Sequence, residues 1–149
     1  MLTKEQIEND LKDAMRAGDD VRKRTLRMVL STIKLAEVDR QEELEGGALL
    51  GIIQKEVKSR QETIEEAQQI GRDSLVESTQ AEIEILEAYL PEALDEQELD
   101  NIVSETISET GASGPQDMGR VMKAIMPKVQ GRADGKTVST LVQRKLSAS

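Results

Sequence analysis

Asp117-Met118-Gly119-Arg120-Val121-Met122-Lys123-Ala124-Ile125-Met126-Pro127-Lys128-Val129-Gln130-Gly131-Arg132-Ala133-Asp134-Gly135-Lys136 is the stretch on which the reading of this chain turns. Met118, Val121, Met122, Ile125, Met126 and Val129 recur at steps of three and four, the period of one helix face turned to a core. Pro127 and Gly131 read as breaks, and Asp134 reads as a cap before a second apolar stripe. The polar positions between are mostly cationic: Arg120, Lys123, Lys128, Arg132 and Lys136. Two readings stay open at this point. In one, a helix, a basic glycine-bearing turn and a second helix start form an anion-facing surface. In the other, Gly119 allows close helix packing, Gly131 is a C-cap and the charges are simply solvated.

Working outward, the rest of the chain favours helices around that stretch. Of 149 residues, 37% are hydrophobic, and there is no Phe, no Trp and a single aromatic, Tyr89. A core of Leu, Ile, Val, Met and Ala suits helix-on-helix packing better than a β-sandwich, which leans on aromatic and β-branched pairs. Cysteine and histidine are both absent. That removes disulfides, thiolate nucleophiles, Cys/His metal sites and an imidazole base, so no metal or cofactor is expected. The N-terminus runs from Met1 straight into charged helix, without the look of a signal peptide, and no apolar run is long enough to span a membrane. A soluble cytoplasmic protein is the expectation.

The net charge of −9 is uneven. Residues 111–149 hold seven Lys+Arg against two acids, a net +5, while residues 1–110 hold 13 against 27, a net −14. Such a bipolar chain could meet an anion at its basic end.

In chain order, Thr3 with Gln6 reads as a capping box ahead of Ile7, Leu11, Ala14 and Met15, and Gly18 ends that helix. Asp19 or Asp20 caps the next, whose core set is Leu26, Val29, Leu30 and Ile33. Its cations, Arg22, Lys23, Arg24, Arg27 and Lys34, read as partners for the Glu-rich helix that follows. Residues 42–47 form a loop, and a long helix over 48–70 carries Ile53, Val57, Ile64 and Ala67 inward. On it, Glu56–Arg60 and Lys58–Glu62 read as ordinary (i, i+4) pairs worth about 0.2–0.5 kcal/mol each. Glu62, Glu65 and Glu66 read as solvent-facing charge rather than an acid/base pair. After Gly71, Asp73 or Ser74 caps a helix striped by Val76, Ile83, Leu86 and Leu90. Pro91 interrupts it, and Asp95 with Glu98 forms a new capping box before Leu99, Ile102, Val103 and Ile107. A last helix carries Val138, Leu141, Val142 and Leu146 on one face, with Arg144 and Lys145 off it. The sum is an all-α chain of seven helices in two subdomains. Residues 1–93 hold about four, and residues 94–149 hold about three in a basic C-terminal subdomain.

Four blocks carry a resemblance. Residues 26–34, 54–60 and 86–91, together with 117–119 running through Gly131-Arg132-Ala133-Asp134-Gly135-Lys136, resemble the YqeY-like family. That family is related to the tail domain of GatB, the B subunit of tRNA-dependent amidotransferase. The resemblance implies an all-helical fold and a small C-terminal module that contacts tRNA in the amidotransferase. It brings no catalytic residues. Lys123, Lys128, Gly131, Arg132 and Lys136 lie in the matching block.

A non-catalytic module that binds tRNA or another structured RNA is therefore the leading expectation. Lys123, Lys128, Gly131, Arg132, Gly135, Lys136, Arg144 and Lys145 are its candidate contacts, since cations and helix-start amides are what phosphates need. A folded RNA fits better than a single strand, because one Tyr is no stacking platform. The alternatives are a protein-interaction adaptor, or an amidotransferase-related activity on charged tRNA, a carbon–nitrogen ligase reaction with glutamine as amido donor. Without Cys, His or a phosphate-cradling loop, the last has no constellation to work with. Oligomeric state is not readable from the chain.

Overall fold

The computed structural model of the chain describes residues 1–148 and is all-α, with seven α-helices and one 3-10 turn among the described residues. It divides into two compact units, Met1–Leu90 and Pro91–Ser149.

The first unit holds α1 (Lys4–Ala17), α2 (Asp20–Arg40), α3 (Gly47–Gln69) and α4 (Asp73–Glu87). Thr3 and Gln6 form the capping box, the Gln6 N–H donating to Thr3 Oγ1 at 3.3 Å and the Thr3 N–H to Gln6 Oε1 at 2.9 Å. Gly18 closes α1 in the left-handed conformation, and Asp19 caps α2 by accepting the Arg22 N–H at 3.1 Å. Ile7, Leu26, Val29, Ile33, Leu49, Ile53, Val57, Ile83 and Leu86 are buried in one core. Each such side chain contributes roughly 1.5–3 kcal/mol on leaving water.

Two sequence expectations change here. Neither Asp73 nor Ser74 caps α4; the N-cap position is Arg72, without a side-chain cap. Gly71 at φ 72° closes α3 in a Schellman turn, its N–H on the Gln68 carbonyl and the Arg72 N–H on the Ala67 carbonyl. That turn runs directly into the next helix and leaves no extended residue to cap it. The early cations of α2 also find other partners than the helix that follows them. Arg22 reaches Asp10 of α1 at 3.9 Å, Lys23 reaches Asp20 at 3.6 Å and Arg24 reaches Glu82 of α4 at 4.0 Å. The acids within reach of those turns lie on α1, α2 itself and α4, against which α2 packs as well as against α3.

The Glu56–Arg60 pair is not a surface pair. Arg60 is a buried residue, with Nη1 2.6 Å from Glu56 and Nε 3.7 Å from Glu82. Thr32 Oγ1 of α2 donates to the other oxygen of Glu56 at 3.2 Å, so one charged group ties α2, α3 and α4 together.

The second unit holds α5 (Glu96–Thr110), a 3-10 turn at Pro115–Asp117, α6 (Met118–Val129) and α7 (Gly135–Ser147). Asp95 and Glu98 make the expected capping box. Leu99, Val103, Val121, Ile125, Val129, Val138, Val142 and Leu146 form its core, to which all three helices contribute. Pro127 does not break α6. It sits exposed in the last turn while Ile125 and Val129 stay buried on either side, and the Gln130 N–H still reaches the Met126 carbonyl at 2.9 Å. Only the bond that proline cannot donate is lost, and the packed stripe carries the helix through. The turn comes at Gly131, whose φ of 81° is one that a side chain disfavours.

Candidate nucleic-acid interface

The basic stretch becomes α6, a buried turn at Gly131 and the start of α7. The Arg132 and Ala133 N–H groups both close on the Val129 carbonyl, at 2.8 and 3.0 Å, so those two amides are used inside the turn. Asp134 holds the N-cap position of α7 without a side-chain capping bond. A Cβ on Gly135 would meet nothing within 4 Å, which leaves that backbone open to approach. The same holds at Gly119, so its suggested role in close helix packing is set aside.

The cations fall into two sets. Arg120 pairs with Asp117 at 3.0 Å; the Asp117 carboxylate is held below its usual range first by the Ser113 N–H and also by that guanidinium. Lys128 lies 2.7 Å from Glu109 and donates to Thr106 Oγ1 at 3.2 Å, both on α5. Lys145 reaches Asp100 of α5 at 2.8 Å. Arg132 donates through Nε to the Glu92 carbonyl at 3.0 Å, while its own carbonyl accepts the Leu94 N–H at 2.9 Å. These four are internal ties. Lys123, Lys136 and Arg144 are the other set: exposed, and without an ion pair among the described residues.

Lys136 and Arg144 stand on one wall of a groove of about 510 Å³ between α5 and α7. Thr137, Thr140 and Leu141 continue that wall, and Glu96, Leu99 and Asp100 of α5 form the other. The groove is therefore charged on both sides, with a leucine contributed by each. Thr137 is the residue that sequence reasoning passed over. It follows Lys136 in the first turn of α7 and is exposed, and its hydroxyl is a donor of the kind phosphates accept.

The charge asymmetry looks different once the helices are assembled. The unit 91–149 includes α5, and holds seven Lys+Arg against nine Asp+Glu, a net −2. The +5 of residues 111–149 is largely answered by the acids of the helix packed beside them. Elsewhere, Glu62, Glu65 and Glu66 are exposed, and no group of three or more acidic side chains placed to hold a metal occurs among the described residues.

The family model described as Yqey-like protein matches residues 4–146. The chain belongs to the YqeY-like family. It is 32% identical over 146 residues to a Pyrenophora tritici-repentis protein named "Altered inheritance of mitochondria protein 41, mitochondrial", covering 96% of this chain and 80% of that one. The Lachancea thermotolerans protein of the same name is 40% identical over 112 residues, covering 73% of this chain and 60% of its own length. A stretch of 48 residues, 32% of this YqeY-like chain, is 48% identical to a glutamyl-tRNA(Gln) amidotransferase polypeptide of Thermococcus gammatolerans, of which it spans 8%. That match supports the kinship with the amidotransferase tail.

The expected cytoplasmic location is corrected by the fungal relatives, whose names place those proteins in mitochondria. The inference failed because its premise was too narrow. No helix among the described residues is long and apolar enough to cross a membrane, and that excludes a spanning helix while carrying no information on compartment.

Proposed function

We propose that this YqeY-like protein is a non-catalytic helical module whose C-terminal unit docks on the phosphate backbone of a folded RNA. One observation carries the reading: in a unit whose other cations are tied internally, Lys123, Lys136 and Arg144 are held out to solvent without an ion pair among the described residues. Thr137 and the open backbone at Gly135 adjoin Lys136 and add donors at a helix start. The tRNA in the name of the Thermococcus gammatolerans relative makes tRNA the RNA to try first. Glu96 and Asp100 would repel phosphates from the α5 wall, so the backbone would lie along α7.

The test is a gel-shift titration with total tRNA at two salt concentrations. Each phosphate contact contributes about 0.9 log unit of affinity per log unit of salt, or about 0.7 on single strands. Replacing Lys123, Lys136 and Arg144 together by Ala should weaken binding and flatten that slope by about two to three units, with helicity and melting unchanged. Replacing Lys128 and Arg132 should act through the fold instead, lowering the melt without flattening the slope. Equal flattening by both sets would break the assignment.

The second reading, a protein adaptor, is favoured by the α5–α7 groove itself. Opposite charges face each other across Leu99 and Leu141, a pattern suited to a peptide more than to a uniform polyanion. Salt-tolerant capture of one protein, with no shift by tRNA even at low salt, would move the assignment there. Glutamine- or ATP-dependent turnover that follows the protein through successive columns would overturn both readings in favour of an enzyme.

A further inference from the structure

The groove between α5 and α7 sets two unlike walls against each other without closing them. On α7, Lys136, Thr140 and Arg144 recur at steps of four and form one ridge, about 12 Å long along the helix axis. On α5, Glu96 and Asp100 stand about one turn apart, with Leu99 between them. Other pairs along α5 do close, Glu109 on Lys128 at 2.7 Å and Asp100 on Lys145 at 2.8 Å. Lys136, Arg144 and Glu96 line the same groove, yet none of them has an ion pair among the described residues.

The walls differ in kind as well as in sign. Lys136 and Arg144 offer only donors, and Thr137 adds an exposed hydroxyl. An ionised carboxylate offers only acceptors, with sites for about four donors. Asp100 gives Oδ1 to Lys145 and keeps acceptor capacity, while Glu96 is exposed. Leu99 is buried and Leu141 half-buried, so apolar surface lies between the walls. The ligand that fits carries anionic acceptors on one side and neutral hydroxyl donors on the other. A ribose–phosphate backbone is built that way, with a 2′-hydroxyl beside each phosphate and a sugar ring between. A DNA backbone brings the phosphates without the donor, and a carboxylate facing it meets only repulsion.

We propose that Glu96 and Asp100 select RNA over DNA at this site by accepting hydrogen bonds from 2′-hydroxyls while α7 holds the neighbouring phosphates. This rests on the RNA reading above and adds a specificity to it. In an A-form duplex the hydroxyls line a wide, shallow minor groove that side chains can reach beside the backbone. The acids lower the attraction for every polyanion and return part of it only to a chain with hydroxyls, so they act chiefly against the wrong backbone.

Gel-shift titrations of the full chain with three duplexes of one sequence test this: RNA, its 2′-O-methyl counterpart and DNA. The 2′-O-methyl duplex keeps the phosphates and the A form and removes the donor. The unmodified chain should bind RNA about tenfold more tightly than either of the others. The gap between the two RNA duplexes should hold as salt rises, because both carry the same phosphates. Glu96→Ala combined with Asp100→Ala should raise affinity for DNA and 2′-O-methyl RNA and close the gap. Glu96→Ala alone leaves the Asp95–Glu98 capping box and the Asp100–Lys145 pair in place, and should close part of it with dichroism unchanged. Equal binding of RNA and 2′-O-methyl RNA by the unmodified chain would overturn the selectivity and leave the RNA reading standing. So would variants that tighten all three duplexes alike, the mark of plain repulsion. No shift of tRNA or of any duplex at low salt, by the unmodified chain or the double variant, would remove the RNA site and this selectivity together.

Discussion

The two units handle their charged groups in opposite ways. In the N-terminal unit they are drawn into the packing: Arg60 is buried between Glu56 and Glu82, Thr32 donates into the same group, and Tyr89 donates to Asp10 across 79 positions of sequence. In the C-terminal unit the buried polar side chain is the neutral Thr106, no charged side chain is buried among the described residues, and charge stays at the rim, where Lys128 and Lys145 reach across to α5. A charge inside a fold is costly to take out of water and costly again to orphan, whereas a rim pair is screened and nearly neutral in its effect. The first unit therefore depends on particular polar residues, and the second is free to turn its cations to other uses.

The largest expected effect follows from that contrast. Arg60→Ala leaves the partly buried Glu56 and Glu82 without the buried cation between them, and should cost about 3 kcal/mol of unfolding free energy. Lys128→Ala removes an exposed pair and should cost less than about 1 kcal/mol. Denaturant melts of both variants decide the matter; comparable losses would erase the distinction between the units.

The next effect tests whether the units melt apart. Ile125→Ala removes a fully buried side chain from the small C-terminal core and should cost about 2–5 kcal/mol there. Because Tyr89 is the single aromatic and packs on the N-terminal core, tyrosine fluorescence follows that unit alone, while far-ultraviolet dichroism follows both. The variant should lose part of its dichroism in an early transition while the tyrosine transition stays in place. A fragment of residues 1–90 should melt cooperatively with the same tyrosine midpoint. One coincident transition in the variant, or an unfolded fragment, would make the chain a single cooperative body.

Much of this was legible in the residues. Thr3 with Gln6 and Asp95 with Glu98 are local patterns, and local patterns survive folding; the apolar stripes of α2, α3 and α6 turned inward as their spacing required. What could not be read depends on neighbours distant in sequence. Arg60 looks like any (i, i+4) partner of Glu56 until α4 brings Glu82 beside it. Pro127 breaks an isolated helix, yet Val129 has a core to fill beyond it. For the candidate site, the types were visible and their availability was not. Lys128 and Lys136 are indistinguishable in the chain, and only the placement of Glu109 on α5 ties one down and leaves the other out.

A smaller effect concerns Lys4 and Glu37, which join α1 to α2 at 2.8 Å, Glu37 also accepting the Leu44 N–H at 2.9 Å. The hydrogen bond from Lys4 is the main cause holding the Glu37 carboxyl below its ordinary value, with the Leu44 N–H second. The same hydrogen bond raises Lys4 above its own ordinary value. The depressed carboxylate contributes stability that is present above its unfolded value and is lost as pH falls through the folded one. The raised lysine contributes stability present below its unfolded value and lost as pH rises through the folded one. Glu37→Gln should therefore remove a contribution seen at neutral pH and flatten the acid limb of the stability profile. An acid limb identical to that of the unmodified chain would mean that the pair is solvated in the N-terminal unit just as the rim pairs are in the C-terminal one.

The smallest effect is also the most direct to observe. Tyr89 is half-buried, and burial is the first cause pushing its hydroxyl well above the ordinary tyrosine value of about 10; the hydrogen bond to Asp10 and that carboxylate's charge push it further, while Arg22 pulls the other way. Since no other tyrosine is present, tyrosinate absorbance reports this one group with no assignment to make. Asp10→Asn deletes the carboxylate charge and keeps the burial, so the midpoint should fall while staying above the ordinary value. Arg22→Ala deletes the opposing cation, so the midpoint should rise. A hydroxyl whose folded value is raised contributes stability that is complete below the unfolded value and disappears as pH climbs through the folded one. The native chain should accordingly lose stability on the alkaline side, and Asp10→Asn should make that loss smaller and complete at lower pH. If the two substitutions moved the midpoint in the same direction, or neither moved it, Asp10, Arg22 and Tyr89 would not be a coupled group. The N-terminal unit would then retain one interior polar tie, at Arg60, rather than two.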